Sequence, residues 1–308
     1  MKKDIVVAYV FNILKYCIFG STMLFTSSLL KSTGVFDVLA LRFLMSAVVF
    51  TLLILTGVLK VNYKGKKMKN LILTALFEPV IYFIFENIGI AQTNTSTAGL
   101  ILAAAPALTI IFETVFLGET TTWAQKEMIF LRISAAILIV VNATSSGTDS
   151  IIGIICISIA GISGALFGIF SRKSSQDFNA IEVTYLTTIV GAVAFNAINV
   201  VRHLSMGTIS TYFTPYFDMQ NMIGFVYLAV VSSIVATMMG NYALGKMQAT
   251  VASAFSGAST IVTILLGVFV NKEPIGLYHY VAMIMMVFAG IGMAVLNNKR
   301  SNNEASHK

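Results

Sequence analysis

The chain has 308 residues, of which 57% are hydrophobic and only 11% charged, against roughly 25% charged in an ordinary soluble domain. So little polar side chain excludes a water-soluble fold of this size, and so much apolar side chain excludes disorder. A formal charge of +7 on so apolar a chain reports membrane topology rather than nucleic-acid binding.

A helix needs about 20 apolar residues to cross the hydrocarbon core. In chain order, ten windows meet this: 5–30, 36–59, 71–91, 97–117, 124–141, 151–170, 181–201, 222–244, 250–270 and 278–296. Strand-type alternation is absent, which argues against a β-barrel. Met1-Lys2-Lys3 leads into an apolar stretch too long for a signal-peptide core, with no small-residue cleavage site, so the first window reads as a retained span. The links are short, the longest being 203–221. A cytoplasmic N-terminus puts the lysine run of 60–69, Lys126, Arg172, Lys173, Lys246 and the basic C-terminus inside. Only Lys31, Arg202 and Lys272 are then outside. That asymmetry predicts both termini in the cytoplasm, with the 60–69 run as a topology anchor.

The halves repeat. Asn87 aligns with Asn241, Ala98 with Ala252, Thr109 with Thr263 and Glu119 with Glu273, all at one offset, half the chain length. The predicted architecture is therefore an all-α membrane protein of ten transmembrane helices, built as two five-helix repeats, 1–148 and 149–308. Five spans per repeat is an odd number, so the second copy enters from the opposite side. Inverted repeats with a site at their interface near the midplane are typical of secondary transporters.

Several motifs carry a family resemblance: Phe19-Gly20-Ser21, Leu41-Arg42-Phe43, Ala91-Gln92-Thr93, Pro106 and Leu117-Gly118-Glu119 in the first half. In the second half they are the stretch 249–267, Lys272-Glu273-Pro274, Gly290 and Gly292. Over nearly the whole chain this pattern resembles the drug/metabolite transporter superfamily, and within it the EamA-type proteins. The resemblance implies export of a small organic solute such as an amino acid, a metabolite or a drug, and leaves the solute open. The chain departs from the pattern at Thr260, opposite Pro106, at Arg132, opposite Met286, and in the acidity of Glu78 and Glu86.

Ionisable groups at membrane depth are costly and usually face a cavity or a partner. At about 1.5 Å per residue, Lys15 and Glu78 lie level near the midplane, and Arg42 and Glu86 lie level near the outer side. Two ion pairs are thus expected. Glu78, Tyr82 and Glu86 form one helix stripe, and their repeat mates Ser232, Ala236 and Gly240 form a small-residue stripe opposite. Pro79 and Pro106 should free the carbonyls of Ala75 and Leu102 and kink their helices. Gly161, Gly164 and Gly168 offer a small face for close packing, or, with Gly20, for sliding of the halves. Asn87 and Asn241 are candidates to bond across the pseudo-twofold axis. Arg132 is expected to pair with Glu127 or Glu113, and Glu119 and Glu273 to cap the neighbouring turns.

These residues predict a secondary active transporter with its cavity among spans 1–4 and 6–9. Lys15, Glu78, Tyr82, Glu86, Asn87, Ser232 and Asn241 are the candidate cavity residues, with Gly20, Arg42, Pro79, Pro106, Gly164 and Gly168 structural or gating. Glu78 is the candidate for proton coupling. The alternative is a uniporter or exchanger in which Lys15–Glu78 is a structural ion pair. A membrane enzyme would need a histidine or metal cluster. The scattered His203, His279 and His307, with Cys17 and Cys156 in apolar runs, do not supply one. A channel would need filter loops or charge rings. Expected partners are the solute, membrane lipid and protons, with no cofactor and no nucleic acid. The expected setting is the plasma membrane, as a monomer or weak homodimer.

Overall fold

The computed structural model describes residues 2–117, 122–145, 149–273 and 276–306, and every regular element among them is helical. The elements form ten rods. In the first half these are α1 (Lys2–Leu30), α2 (Val35–Leu55), α3 (Lys69–Ile90), α4 (Thr95–Phe116) and α5 (Trp123–Ser145). In the second they are α6 (Ile151–Ser174), α7 (Ala180–Met206), α8 (Met219–Leu244), α9 (Ala249–Phe269) and α10 (Leu277–Ser306).

Among the described residues, eight rods are long and apolar enough to cross a bilayer by length and composition. In α5, Lys126, Glu127 and Arg132 fall close together, and α10 carries an apolar stretch over Leu277–Met293 among the described residues. Exposed apolar side chains such as Leu52, Val193, Ile284 and Phe288 turn outward, as a lipid-facing surface requires. Helix ends follow local chemistry. Asn179 and Glu182 form a reciprocal capping box at the start of α7, and Gly207, in the left-handed region at φ 68°, ends it.

The two halves are interrupted at matching places. α3 widens into π-helical turns over Leu76–Ile81, where Glu78 is extended (φ −140°, ψ 118°) before Pro79; α8 does the same over Tyr227–Ala236. α4 breaks between Thr95–Leu102 and Ala105–Leu117, and α9 between Ala249–Ala254 and Gly257–Phe269. Because α9 breaks without a proline at Thr260, Pro106 cannot be the whole cause of the break in α4. Packing repeats in the same way. α2 lies along α7 and α5 along α10, while α3 on α6 is echoed by α1 on α8, and α4 on α6 by α1 on α9.

Gly20 marks the closest approach of α1 to α9. A Cβ there would lie 2.5 Å from the Ser259 carbonyl oxygen and 2.8 Å from the Val262 Cβ. Backbone cannot step aside, so Gly20→Ala should destabilise the fold by about 1–3 kcal/mol, the usual cost of overpacking. At Gly168 the nearest neighbour of an added Cβ is the Ala249 Cβ at 3.9 Å, so Gly168→Ala should melt like the wild type. Melting of the detergent-purified pair checks this; equal melting temperatures would contradict the packing argument.

Candidate functional site

A cavity of about 1020 Å³, counting its open mouth, lies among α1, α3 and α4 of the first half and α6, α8 and α9 of the second. Its polar lining includes Lys15, Tyr16, Glu78, Tyr82, Glu86, Ser232, Ser253 and Ser256. Neither α2 nor α7 contributes to this lining among the described residues, so the cavity draws on six of the eight expected spans. Behind Glu78 a smaller recess reaches α2 and α7 at Phe43, Thr187 and Thr188.

The break in α3 sets the acidic wall. Within the regular segment Tyr82–Ile90 the Tyr82 hydroxyl donates to Glu86 Oε1 at 2.8 Å. The extended backbone at Glu78 separates that residue from the regular stripe. Glu78 is 8% exposed and has no hydrogen bond or ion pair among the described residues. Lys15, opposite, runs its stem over Gly240, where an added Cβ would fall 2.8 Å from its Cδ. Its Nζ sits 4.7 Å from the Tyr16 ring centroid and 5.1 Å from that of Phe19. The expected Lys15–Glu78 ion pair is therefore not formed. The glycine groove on α8 directs the ammonium over aromatic faces instead.

The expected Arg42–Glu86 pair is also not formed. Arg42, 1% exposed, donates from Nε to Ser233 Oγ at 2.9 Å and from Nη2 to Ser232 Oγ at 3.0 Å. Its guanidinium carbon lies 4.4 Å from the Phe83 ring centroid. The π-helical stretch of α8 presents both serines to α2, so hydroxyls and a ring hold this cation in place of a carboxylate. Ser232 accordingly faces the cavity and accepts from Arg42 at once.

Asn87 and Asn241 are fully buried away from the cavity and do not bond each other. Asn87 donates to the Phe83 carbonyl at 3.0 Å, one turn back on its own helix. Asn241 accepts from Ser171 at 2.7 Å and donates to Thr184 Oγ1 at 2.9 Å. Asn241 is satisfied by these nearer partners, whereas the Asn87 Oδ1 has no partner among the described residues. Of the residues expected to have structural roles, Pro106, Gly164 and Gly168 line the cavity, whereas Gly20, Arg42 and Pro79 pack outside it. The small face of α6 is thus a cavity wall that also packs on α3: an added Cβ on Gly161 would meet nothing nearer than 3.6 Å, but one on Gly164 would crowd the Tyr82 ring at 3.2 Å.

Arg132 does not pair with Glu127 or Glu113. It is 2% exposed and donates from Nη1 to the Ala103 carbonyl at 3.0 Å and to Ser256 Oγ at 3.4 Å, reaching the breaks of α4 and α9 together. A carbonyl at an interrupted turn lacks its helical donor, which makes it an available acceptor for a buried cation. Glu113 instead meets Arg172 at 3.3 Å and accepts from Thr250.

Glu273 crosses between the halves. It accepts from Thr95 N at 3.0 Å, Ser96 N at 2.9 Å and Ser96 Oγ at 2.6 Å, and from the Thr95 hydroxyl, so it caps the start of α4 rather than only its own turn. Burial pushes its carboxyl up, but these bonds outweigh that and hold it below the ordinary value. Its repeat mate Glu119, together with Gly118 and Pro274, lies outside the described residues.

Two clusters escaped sequence reasoning. Near the start of α2, Asp37 meets Arg202 at 2.8 Å, His203 at 2.7 Å and Asn199 at 3.0 Å, all from α7. Near the start of α7, Glu182 meets Lys66 at 2.6 Å and the Asn62 backbone at 2.9 Å, both from the segment after α2. The available signal was the acidic residue in the first turn of each helix. Each half thus ties its own helix to the other's, at opposite ends of the α2–α7 pair.

An EamA-like transporter family model matches this chain over residues 7–141 and 151–296. The chain is 33% identical over 295 residues to an uncharacterized transporter, YcxC, of Bacillus subtilis, covering 96% of this chain and 95% of that one. It is 25% identical over 257 residues to an uncharacterized transporter of Archaeoglobus fulgidus, covering 83% and 87%. A solved crystal structure of a protein superposes with a TM-score of 0.68 at 16% identity, over 95% of this chain and 98% of that one, a likeness of fold alone. A multi-pass membrane protein by its apolar helices and matched in both halves, the chain belongs to the EamA-like transporter family.

Proposed function

We propose that this protein is a secondary active transporter of a small organic solute, working by alternating access between two inverted five-helix repeats, 1–148 and 149–308. One observation carries the reading. The central cavity is walled by both halves and holds a carboxylate, Glu78, and an ammonium, Lys15, that neither pair with each other nor bond to any other described residue. Unpaired charge in an apolar interior is expensive, so its retention favours use by a solute or a proton. Glu78 is the group that takes up and releases the coupling proton. The direction, export, follows the family resemblance.

Purified protein in liposomes loaded with a candidate solute provides the test. Saturable counterflow that responds to an imposed pH gradient is the expected result. Flux that rises linearly with solute, without counterflow, would overturn the transporter reading in favour of a channel.

The same reading sets the protein in the plasma membrane with both termini cytoplasmic, supported by the basic residues of 60–69 against the sparse positive charge of the opposite side. Single cysteines at the exposed positions Lys67 and Thr211 should then react differently with an impermeant thiol reagent on intact cells. Thr211→Cys should label and Lys67→Cys should not. The reverse pattern would invert the topology.

A further inference from the structure

We propose that the solute is an organic anion whose acidic group is held by Lys15 beside the breaks of α4 and α9. This rests on the transporter reading and names the chemistry its cavity selects.

The charge balance of the central region is positive. Three cations, Lys15, Arg42 and Arg132, and two carboxylates, Glu78 and Glu86, lie in or beside the cavity wall, and among the described residues none of the five is within ion-pair distance of another. Their existing partners sharpen the imbalance. Glu86 already accepts from Tyr82, and Arg42 is held by two serines and a ring. Among the described residues, Lys15 meets the faces of Tyr16 and Phe19 and no hydrogen-bond acceptor. A ring face attracts the charge but supplies no lone pair for three ammonium N–H donors. Those donors call for an oxygen acceptor that no described residue provides.

Arg132 adds to the same field at the breaks of α4 and α9. It reaches this point from behind. Its Nη1 is engaged, while its Nε and Nη2 have no partner among the described residues. Its charge is therefore uncompensated in a low-dielectric surrounding, where a positive potential extends far. α1 is tied to the break of α9, because Asn12 donates to the Ala252 carbonyl at 2.8 Å and Tyr9 stacks edge-on against Phe255. Lys15 follows Asn12 by one turn. Ser253 and Ser256 add hydroxyl donors within the lining. An acidic group bound here would meet the Lys15 ammonium and these hydroxyls directly, with Arg132 acting through the field and through the Ala103 and Ser256 positions.

The test uses the full-length protein in detergent and in liposomes. Four anions (benzoate, glutarate, benzenesulfonate and glycerol 3-phosphate) are compared at millimolar concentrations with benzylamine, phenylalanine and benzyl alcohol. At least one anion should raise the melting temperature, and benzylamine should not. Lys15→Gln should weaken that anion about tenfold or more, and Lys15→Arg, which keeps the charge, should restore much of the affinity even if the glutamine variant folds poorly. Stabilisation by benzylamine or phenylalanine but by none of the anions would overturn the proposal, as would silence from all four anions. Full anion stabilisation retained in a folded Lys15→Gln protein would overturn the role of Lys15. Counterflow separates the two readings. A stabilising amine that also shows saturable counterflow leaves the transporter standing and removes the anion. A stabilising anion that shows no counterflow does the opposite.

Discussion

Glu78→Gln should give a folded protein that still binds solute but loses pH-driven flux by about tenfold or more, the scale of a 1.4 kcal/mol change in a coupled step. The substitution is nearly isosteric. Glu78 makes no hydrogen bond or ion pair among the described residues that the amide would forfeit, so melting should change little. What is lost is the one group at that position able to gain and lose a proton. Its charged surroundings are Lys15 on α1, Arg42 on α2 and Glu86 on α3, with the hydroxyls of Tyr82, Thr187, Thr188, Ser233 and Thr237 nearby. A purely structural role would show the reverse, lower stability with an unchanged pH profile. Reconstituted Glu78→Gln protein that melts normally and transports with wild-type pH dependence would end the coupling idea.

Glu273→Ala should lower stability by roughly 2 kcal/mol, the cost of losing a charged helix cap, placed near the low end because the residue is only partly buried. Four donors at the start of α4 would lose their acceptor, and with them a tie between the two halves. The pH dependence has a definite sign. The folded carboxyl is held below its ordinary value by the Ser96 and Thr95 bonds, which outweigh burial. Its stabilisation is therefore complete above the unfolded carboxylate range, near pH 4.3, and is lost as pH falls through the lower folded value. Melting curves in detergent from neutral to acid pH should show the wild type converging on Glu273→Ala at the acid end. Identical melting of the two at neutral pH would refute the cap.

Much of the architecture was readable because it depends on periodicity and composition. Apolar windows, the offset between Asn87 and Asn241, and the family motifs all survive in one dimension. The acidic wall was readable too: Lys15, Glu78, Tyr82, Glu86 and Ser232 line one cavity. Their pairing was not. Depth along a helix says which groups are level, but not which way each side chain turns. The π-helical stretch of α8, which presents two serines to Arg42, leaves no periodic trace in the sequence. Arg132 shows the same limit. Its acceptor is a carbonyl at a helix break, and a backbone acceptor has no residue type to search for.

The sequence by itself determined that this chain is an all-helical membrane protein of doubled design, because burial of apolar surface and the span length needed to cross a bilayer are properties of local composition. Only the tertiary structure decided which charges stay unpaired. Helix phase, the interruptions at Glu78, Ala103 and Ser256, and the groove at Gly240 set side-chain directions. A few ångströms of direction separate an ion pair from an open binding group.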